Sequence, residues 1–260
     1  MPELYTVIVE VTPYNFLSVY TPYSSTSANA YFLPPPTTLV GALAYAYRKS
    51  VGDFRELRDD GASPAVELVE QGLVRYAVAG VGEPFTIVST IERVYQHPYL
   101  RKQHWKREEM TYTVAVRHQV LVRKLYILFI VASDILARYS YAMTRIGRKE
   151  SLVSVDRVFV APVKELVDLS KKRCDTFFYF PLSIAKDYDP KDMWVEVEMP
   201  TLAKENFIKK TVSTERFVVP KPFTPILTKA TVELNANGAV LSVNLDDKLL
   251  EVPVPRKVLM

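Results

Sequence analysis

From Leu4 to Val11 apolar residues fall on every second position: Tyr5, Val7, Val9 and Val11 share one side of an extended chain, Thr6 and Glu10 the other. That period of two predicts a first strand. A loop of Tyr, Ser, Thr and Pro follows, and after Pro34-Pro35-Pro36 the period changes. Leu39, Leu43 and Tyr47 recur every fourth residue with Gly41, Ala42, Ala44 and Ala46 between them. This predicts a helix capped by Thr37 or Thr38 and slim enough to lie close against a sheet. Asp53 to Gly61 reads as a charged helix end plus turn, and Ala65 to Gln71 as a second short helix. Leu73 to Val81, Phe85 to Tyr95 and the long alternating run Thr111 to Val131 read as strands. In the last run Val114, Val116, Val120 and Val122 share a face with His118, whereas Arg117, Gln119 and Arg123 share the other, so one face is expected to be buried and one wet. Ser133 or Asp134 then caps a helix with the apolar stripe Ile135, Leu136, Tyr139, Ala142, Met143 and Ile146, closed by Gly147. Ser151 to Val160 returns as a strand.

The order is strand, helix, strand, strand, helix, strand, which is the ferredoxin-like arrangement shared with RNA-recognition domains. From about Lys164 the pattern changes to short β segments separated by prolines, Thr176 to Phe180, Trp194 to Met199 and Arg216 to Val219. Lys229 to Leu234 and Ala239 to Asn244 flank Asn235-Ala236-Asn237-Gly238, where Asn-Gly signals a tight hairpin. The expected class is therefore α+β. A ferredoxin-like domain over 1–163 carries an inserted arm over about 91–117, and a smaller β-rich subdomain fills 164–260. No internal repeat and no low-complexity segment is seen.

Composition narrows the function. The longest apolar run, Leu125 to Ala132, falls short of the roughly 18 residues a membrane span needs. The N-terminal residues carry no basic, then apolar, export pattern, and the single Cys174 suits a reducing compartment, so a cytoplasmic protein is expected. Cys174 has no Cys or His at ligand spacing, and no cofactor or metal is expected. Many Glu, Lys and Arg, few Asn and Gln, and 18 prolines against 8 glycines fit a protein that works hot. The net charge of +4 is concentrated: Ile91 to Lys124 holds eight basic and three acidic residues, a local +5. All three histidines lie there, interleaved with Tyr95, Tyr99, Trp105 and Tyr112. Cations neutralise phosphates and flat rings stack on unpaired bases, so the stretch suits single-stranded nucleic acid. An ordinary solvated hairpin is the alternative.

Two segments are more specific. The run from Tyr31 to Leu43, with Pro34-Pro35-Pro36-Thr37-Thr38 leading into Gly41-Ala42-Leu43, resembles the opening of the first helix in the Cas-five family of CRISPR-associated RAMP proteins. Arg145-Ile146-Gly147-Arg148-Lys149-Glu150-Ser151 resembles that family's motif after the second helix, in its archaeal type I-A form. The likeness spans roughly residues 4 to 160. It implies a RAMP protein with a protruding β-hairpin thumb, here the basic arm, and a variable C-terminal part. It further implies a subunit at the foot of the Cascade interference complex, in antiviral defence. Such a subunit holds the 5′ handle of the crRNA beside the backbone RAMP subunits and the large subunit. The chain has no counterpart of the glycine-rich loop many RAMP proteins carry near the C-terminus, so no contact is carried over from it.

Candidate RNA contacts follow from the chemistry. Gly147 at positive φ would let backbone amides and the side chains of Arg148 and Lys149 converge on a phosphate, with Glu150 orienting one of them and Arg145 nearby. A capped helix end explains the same residues. Thr37 and Thr38 would offer amides and hydroxyls to an anion, or merely cap. In the arm Lys102, Lys106 and Arg107 are phosphate candidates, His104 and Trp105 stacking candidates, and Trp105 alternatively a subunit contact; Arg117 and Arg123 extend the basic face. Catalysis is not expected. One branch of the resembling family cleaves precursor crRNA without metal using Tyr, Lys and His. Tyr45 or Tyr47, Lys124 or Lys106, and His118 or His104 would be the corresponding set, but His118 is in phase with buried valines, and the type I-A pattern assigns processing to another enzyme. A purely structural adaptor is a third reading, disfavoured by the clustered lysines.

Overall fold

The computed structural model describes residues 3–21, 27–28, 30–55, 57–95, 112–208, 213–246 and 248–260. In chain order the first part contains β1 (Tyr5–Pro13), β2 (Ser27–Ala28), α1 (Pro36–Ser50), α2 (Val66–Glu70), β3 (Val74–Val81) and β4 (Thr86–Tyr95). It continues with β5 (Tyr112–Leu121), β6 (Leu125–Val131), α3 (Ile135–Ser140) and β7 (Val153–Pro162). Four of these strands form one sheet in the order β3-β6-β1-β7, every neighbour antiparallel. Val9 of β1 lies opposite Ile127 of β6 on one side and Val158 of β7 on the other. The links through α1 and α3 each skip one strand, and α1 packs against α3 and β3.

β1 alternates in sequence, yet both of its faces are buried. Thr6 is fully covered and Glu10 is nearly so. The buried Glu10 carboxylate is held by Lys124, with Arg157 within 4.0 Å, which offsets the cost of removing a charge from water. β6 is buried along its whole length, as expected for a strand inside a layered fold.

Three expectations for this first part require correction. The run 111–131 is two strands, broken at residues 122–124: β5 pairs with β4 from Thr86 opposite Leu121 to Tyr95 opposite Tyr112, in a separate sheet with β2, whereas β6 lies in the core sheet. Alternation persists across the break because Val120 and Val122 are both buried, so periodicity could not reveal it. Neither Thr37 nor Thr38 caps α1. Pro35 is the N-cap and Pro36 the first helical residue; proline's fixed φ suits that position, where its missing N–H costs no helical bond. Finally, α3 ends at Ser140, and Met143 and Ile146 continue its apolar stripe from a non-helical segment, both fully buried. Gly147 has φ +91° but closes no helix.

The second part contains α4 (Val163–Leu166), β8 (Val167–Asp168), β9 (Arg173–Thr176), β10 (Phe180–Pro181), β11 (Ala185–Asp189) and β12 (Trp194–Pro200). β13 (Thr214–Pro220), β14 (Ala230–Leu234), β15 (Gly238–Leu245) and β16 (Lys248–Pro255) complete it. They form three three-stranded sheets, β10-β13-β12, β11-β14-β9 and β16-β15-β8. The Asn-Gly turn forms, with the Gly238 N–H donating to Asn235 O at 3.1 Å, but β14 and β15 do not pair with each other. The turn hands the chain from one sheet to another; the hairpin is instead β15–β16, turning at Asp246 with φ +50°. The expected strand 176–180 is also divided: residues 177–179 run along the edge of β3, where Tyr179 N–H donates to Ala79 O at 3.0 Å. A Cβ on Gly80 would sit 2.9 Å from Phe177 and Phe178, so glycine permits this approach. Phe177, Phe178, Tyr179 and Phe217 thereby join the same buried cluster as β1, β6 and α1. A smaller cluster gathers Cys174, Phe180, Ile184, Trp194 and Val232. Among the described residues no helix is long and apolar enough to cross a membrane.

Candidate nucleic-acid interface

α1 buries Leu39 and Leu43, which leaves the face carrying Thr38, Gly41, Tyr45 and Lys49 turned to a cleft. These positions are three or four apart and so lie one above another on a helix. The opposite wall is the loop at residues 144–153. Val153 N–H donates to Thr144 O at 2.9 Å, Ile146 N–H to Ser151 O at 3.0 Å, and Ser151 N–H to Arg148 O at 3.0 Å, closing a tight turn around the buried Ile146. The loop is fastened to the segment after β1: Ser18 N–H donates to the Ser151 hydroxyl at 3.0 Å, and Arg148 N–H to Ser18 O at 3.3 Å. Gly147 lies where a Cβ would meet Ser18 O at 2.7 Å, so both its φ and its surroundings require glycine.

The main cleft has a volume of about 760 Å³. Its lining includes Arg48, Lys49, Arg55, Arg145, Arg148 and Lys149, against two carboxylates, Asp53 and Glu150. An adjoining depression of about 390 Å³ shares Gly41, Tyr45, Arg145, Gly147 and Arg148 and adds Ser18, Tyr20 and Thr38. Cations here are held over rings. The Arg145 guanidinium lies 3.9 Å from the Tyr45 ring centroid and Lys49 Nζ 5.7 Å from it, while Arg148 sits 5.0 Å from the Tyr20 ring and donates to its hydroxyl at 2.6 Å. Glu150 is 3.6 Å from Arg148. Arg48, almost fully buried, is gripped by Asp53 and by Glu67 at 3.2 Å. Hydrogen bonds from Arg55 and then Arg48 hold the Asp53 carboxyl well below the usual carboxylate range. Such a cleft offers fixed positive charge with flat ring surfaces beside it, the requirements of a single nucleic-acid strand.

Of the residues the sequence singled out, the fold gathers Thr38, Arg145, Gly147, Arg148 and Lys149 around this cleft. Two amides expected to face an anion are already used: Arg148 N–H by Ser18, and Thr38 N–H by Pro35 O at 2.9 Å. Thr37, half-buried in the first turn of α1, does not line the cleft. Arg123 lies elsewhere, largely exposed, 3.6 Å from Glu83 in a separate depression. Arg117 is on β5 beside Thr90, whose hydroxyl donates to its carbonyl at 3.4 Å. Lys102, His104, Trp105, Lys106 and Arg107 lie outside the described residues. Sequence reasoning passed over Tyr20, Lys49 and Arg55; the helical spacing of Lys49 from Tyr45 and Gly41 was the available signal.

Of the alternative catalytic set, Tyr45 lines the cleft, Lys106 and His104 lie outside the described residues, and Tyr47, Lys124 and His118 make separate contacts. Tyr47 packs edge-on against Tyr139 at 5.0 Å, Lys124 pairs with Glu10, and His118 Nδ1 shares a hydrogen bond with Ser89 at 2.8 Å. His118 is half-buried, less enclosed than its phase with the valines suggests, because β5 belongs to the sheet with β4 and β2 and not to the core sheet. No group of three or more metal-ligating side chains occurs among the described residues.

No family model matches the chain. It is homologous to Cas5 proteins of Saccharolobus solfataricus. CRISPR-associated protein Cas5 3 is 27% identical over 229 residues, and CRISPR system aCascade subunit Cas5 1 is 27% identical over 230 residues. Each match covers 85% of this chain and 90% of the relative. In fold the chain resembles a CRISPR protein from Archaeoglobus fulgidus, with a TM-score of 0.56 at 15% identity, covering 96% of this chain and 99% of that one. It also resembles a chain of a CRISPR RNA-guided surveillance complex, with a TM-score of 0.51 at 15% identity, covering 86% and 90%.

Proposed function

We propose that this homologue of the Saccharolobus Cas5 proteins is a non-catalytic, crRNA-binding subunit of a type I-A Cascade interference complex. In this reading the β3-β6-β1-β7 sheet with α1 and α3 is a ferredoxin-like RAMP domain, the β4–β5 hairpin is its thumb, and the 5′ handle of the guide RNA runs between the thumb and the cleft. The backbone RAMP and large subunits flank it. The observation that carries the proposal is the meeting, at one cationic cleft, of the two segments whose sequence resembles the family: Thr38 and Gly41 on α1, and residues 145–150 facing them. Separate contacts for Tyr47, Lys124 and His118 favour binding over cleavage.

The test is a salt titration of fluorescent handle RNA on the assembled complex. Each lost phosphate contact reduces the slope of log K against log salt by roughly 0.7 for a single strand. Replacing Arg148 and Lys149 by alanine is expected to flatten it by about 1.4, and replacing Lys102, Lys106 and Arg107 by about 2. Lys186 and Lys191, exposed cations on the β-rich part, serve as the control. A control pair that flattens the slope equally would remove the basis for placing RNA at the cleft. Purified chain incubated with repeat RNA in EDTA is expected to leave it intact; a discrete cut abolished by His118→Ala would favour the endoribonuclease.

A further inference from the structure

Phe54 is 73% exposed, and among the exposed large apolar side chains it alone, among the described residues, lines the cleft. Its backbone is nevertheless fixed. Asp53 N–H donates to Arg48 O at 2.9 Å, closing the end of α1. The Asp53 carboxylate then accepts from the Arg55 amide at 3.1 Å and from the Arg55 guanidinium at 3.1 and 2.8 Å, while also holding the buried Arg48. The residues on either side of Phe54 are thus tied to each other and to a helix anchored in the core, and the ring between them stands in solvent.

A rigid backbone presenting an open ring lowers the ordering cost of any partner that covers it. The chemistry of that partner follows from the surroundings. Lys49, Arg55, Arg145 and Lys149 line the same cleft, so the partner is anionic. Val51 and Leu57, the other exposed apolar side chains of this segment, do not line it. Tyr45, the other ring in the cleft, is half-buried with Arg145 over its face, and Ala44, Pro64 and Ala65 are buried, so the apolar surface the cleft leaves open is essentially the Phe54 ring, too little for the apolar centre of a protein interface and matched to a single base. We infer that Phe54 is a stacking platform for one unpaired base of a strand whose phosphates are held by the cleft cations, an inference that rests on the RNA-binding reading above.

The experiment uses the full chain and two probes: a short fluorescent single-stranded oligoadenylate, and the same ribose-phosphate oligomer with abasic residues. Stacking by one base corresponds to about tenfold to hundredfold in affinity. Phe54→Ala is expected to weaken oligoadenylate binding by that factor with an unchanged salt slope, Phe54→Trp to restore it, and Phe54→Leu to leave it weak. Abasic oligomer is expected to bind wild type and Phe54→Ala equally. Because the ring is exposed, the thermal midpoint should be the same in all variants, which separates loss of binding from loss of fold. The inference is overturned if Phe54→Ala binds oligoadenylate like wild type, or if Phe54→Leu does. If Phe54→Ala keeps its RNA affinity but no longer co-purifies with the other subunits, the ring is a protein contact and the inference fails. In those cases the RNA-binding reading survives as long as Arg148→Ala with Lys149→Ala still flattens the salt slope; if that pair has no effect either, the reading itself falls.

Discussion

The guanidinium of Arg145 lies 3.9 Å from the centroid of the Tyr45 ring, and through it the loop after α3 is clasped to the open face of α1. The two walls of the cleft thereby set each other's position. Arg145 is held by a π face, and among the described residues no carboxylate pairs with it.

A double-mutant cycle with Tyr45→Leu and Arg145→Gln is expected to return a coupling of about 0.5–1 kcal/mol, the range for a cation over a ring at a partly exposed site. Urea denaturation of the four proteins measures it. A coupling indistinguishable from zero would mean that the two side chains are neighbours without energetic consequence.

Two glycines on the cleft are expected to respond in opposite directions. Gly147→Ala places a Cβ 2.7 Å from Ser18 O at φ +91°, and a loss of about 1–3 kcal/mol is expected for strain of that kind. Gly41 lies inside α1, and a Cβ added there would meet nothing within 4 Å. The same change is expected to gain up to about 1 kcal/mol at that position, because alanine is the better helix former. Gly41→Ala also narrows the cleft, so weaker RNA binding by a more stable protein would separate site from scaffold.

The Asp53 carboxyl titrates below its unfolded value because Arg55 and Arg48 bond its charged form. A lowered folded pKa contributes stability that is fully present above the unfolded value of about 3.9 and is lost as pH falls through the folded one. Asp53→Asn is therefore expected to be less stable than wild type at neutral pH, with the difference shrinking as the pH is taken below about 4. Urea midpoints at neutral and acidic pH give the comparison; a difference constant with pH would exclude the charge as its source.

Cys174 is buried in the smaller hydrophobic cluster, and that burial pushes its thiol up to about 12. The native protein is expected to resist iodoacetamide at mildly alkaline pH and to label rapidly in urea, since the thiolate is the reactive species. Fast labelling without denaturant would show that the β-rich part opens readily.

Period-two and period-four patterns determined β1, α1, α2, β3, β4 and β7 to within a few residues, since burial of alternate or stacked positions dictates which residues are apolar. The same physics hid the break between β5 and β6 and the early end of α3. Val122 and Ile146 are buried whichever hydrogen bonds their backbones make, so hydrophobicity records that they are covered and leaves the backbone undetermined. Asn235 to Gly238 specified a turn, yet only the competition among sheet edges decided that β14 joins β9 and β11 while β15 joins β16. Of the candidate site, the motif around Gly147 and the segment of Thr38 and Gly41 were legible as two separate segments. That they face one another, that Tyr45 and Tyr20 receive the arginines, and that an Asp53–Arg55 clamp holds Phe54 open are long-range facts. They arise because the antiparallel sheet, each helical link skipping a strand, sets α1 beside the end of α3, and no local pattern in a sequence carries that placement.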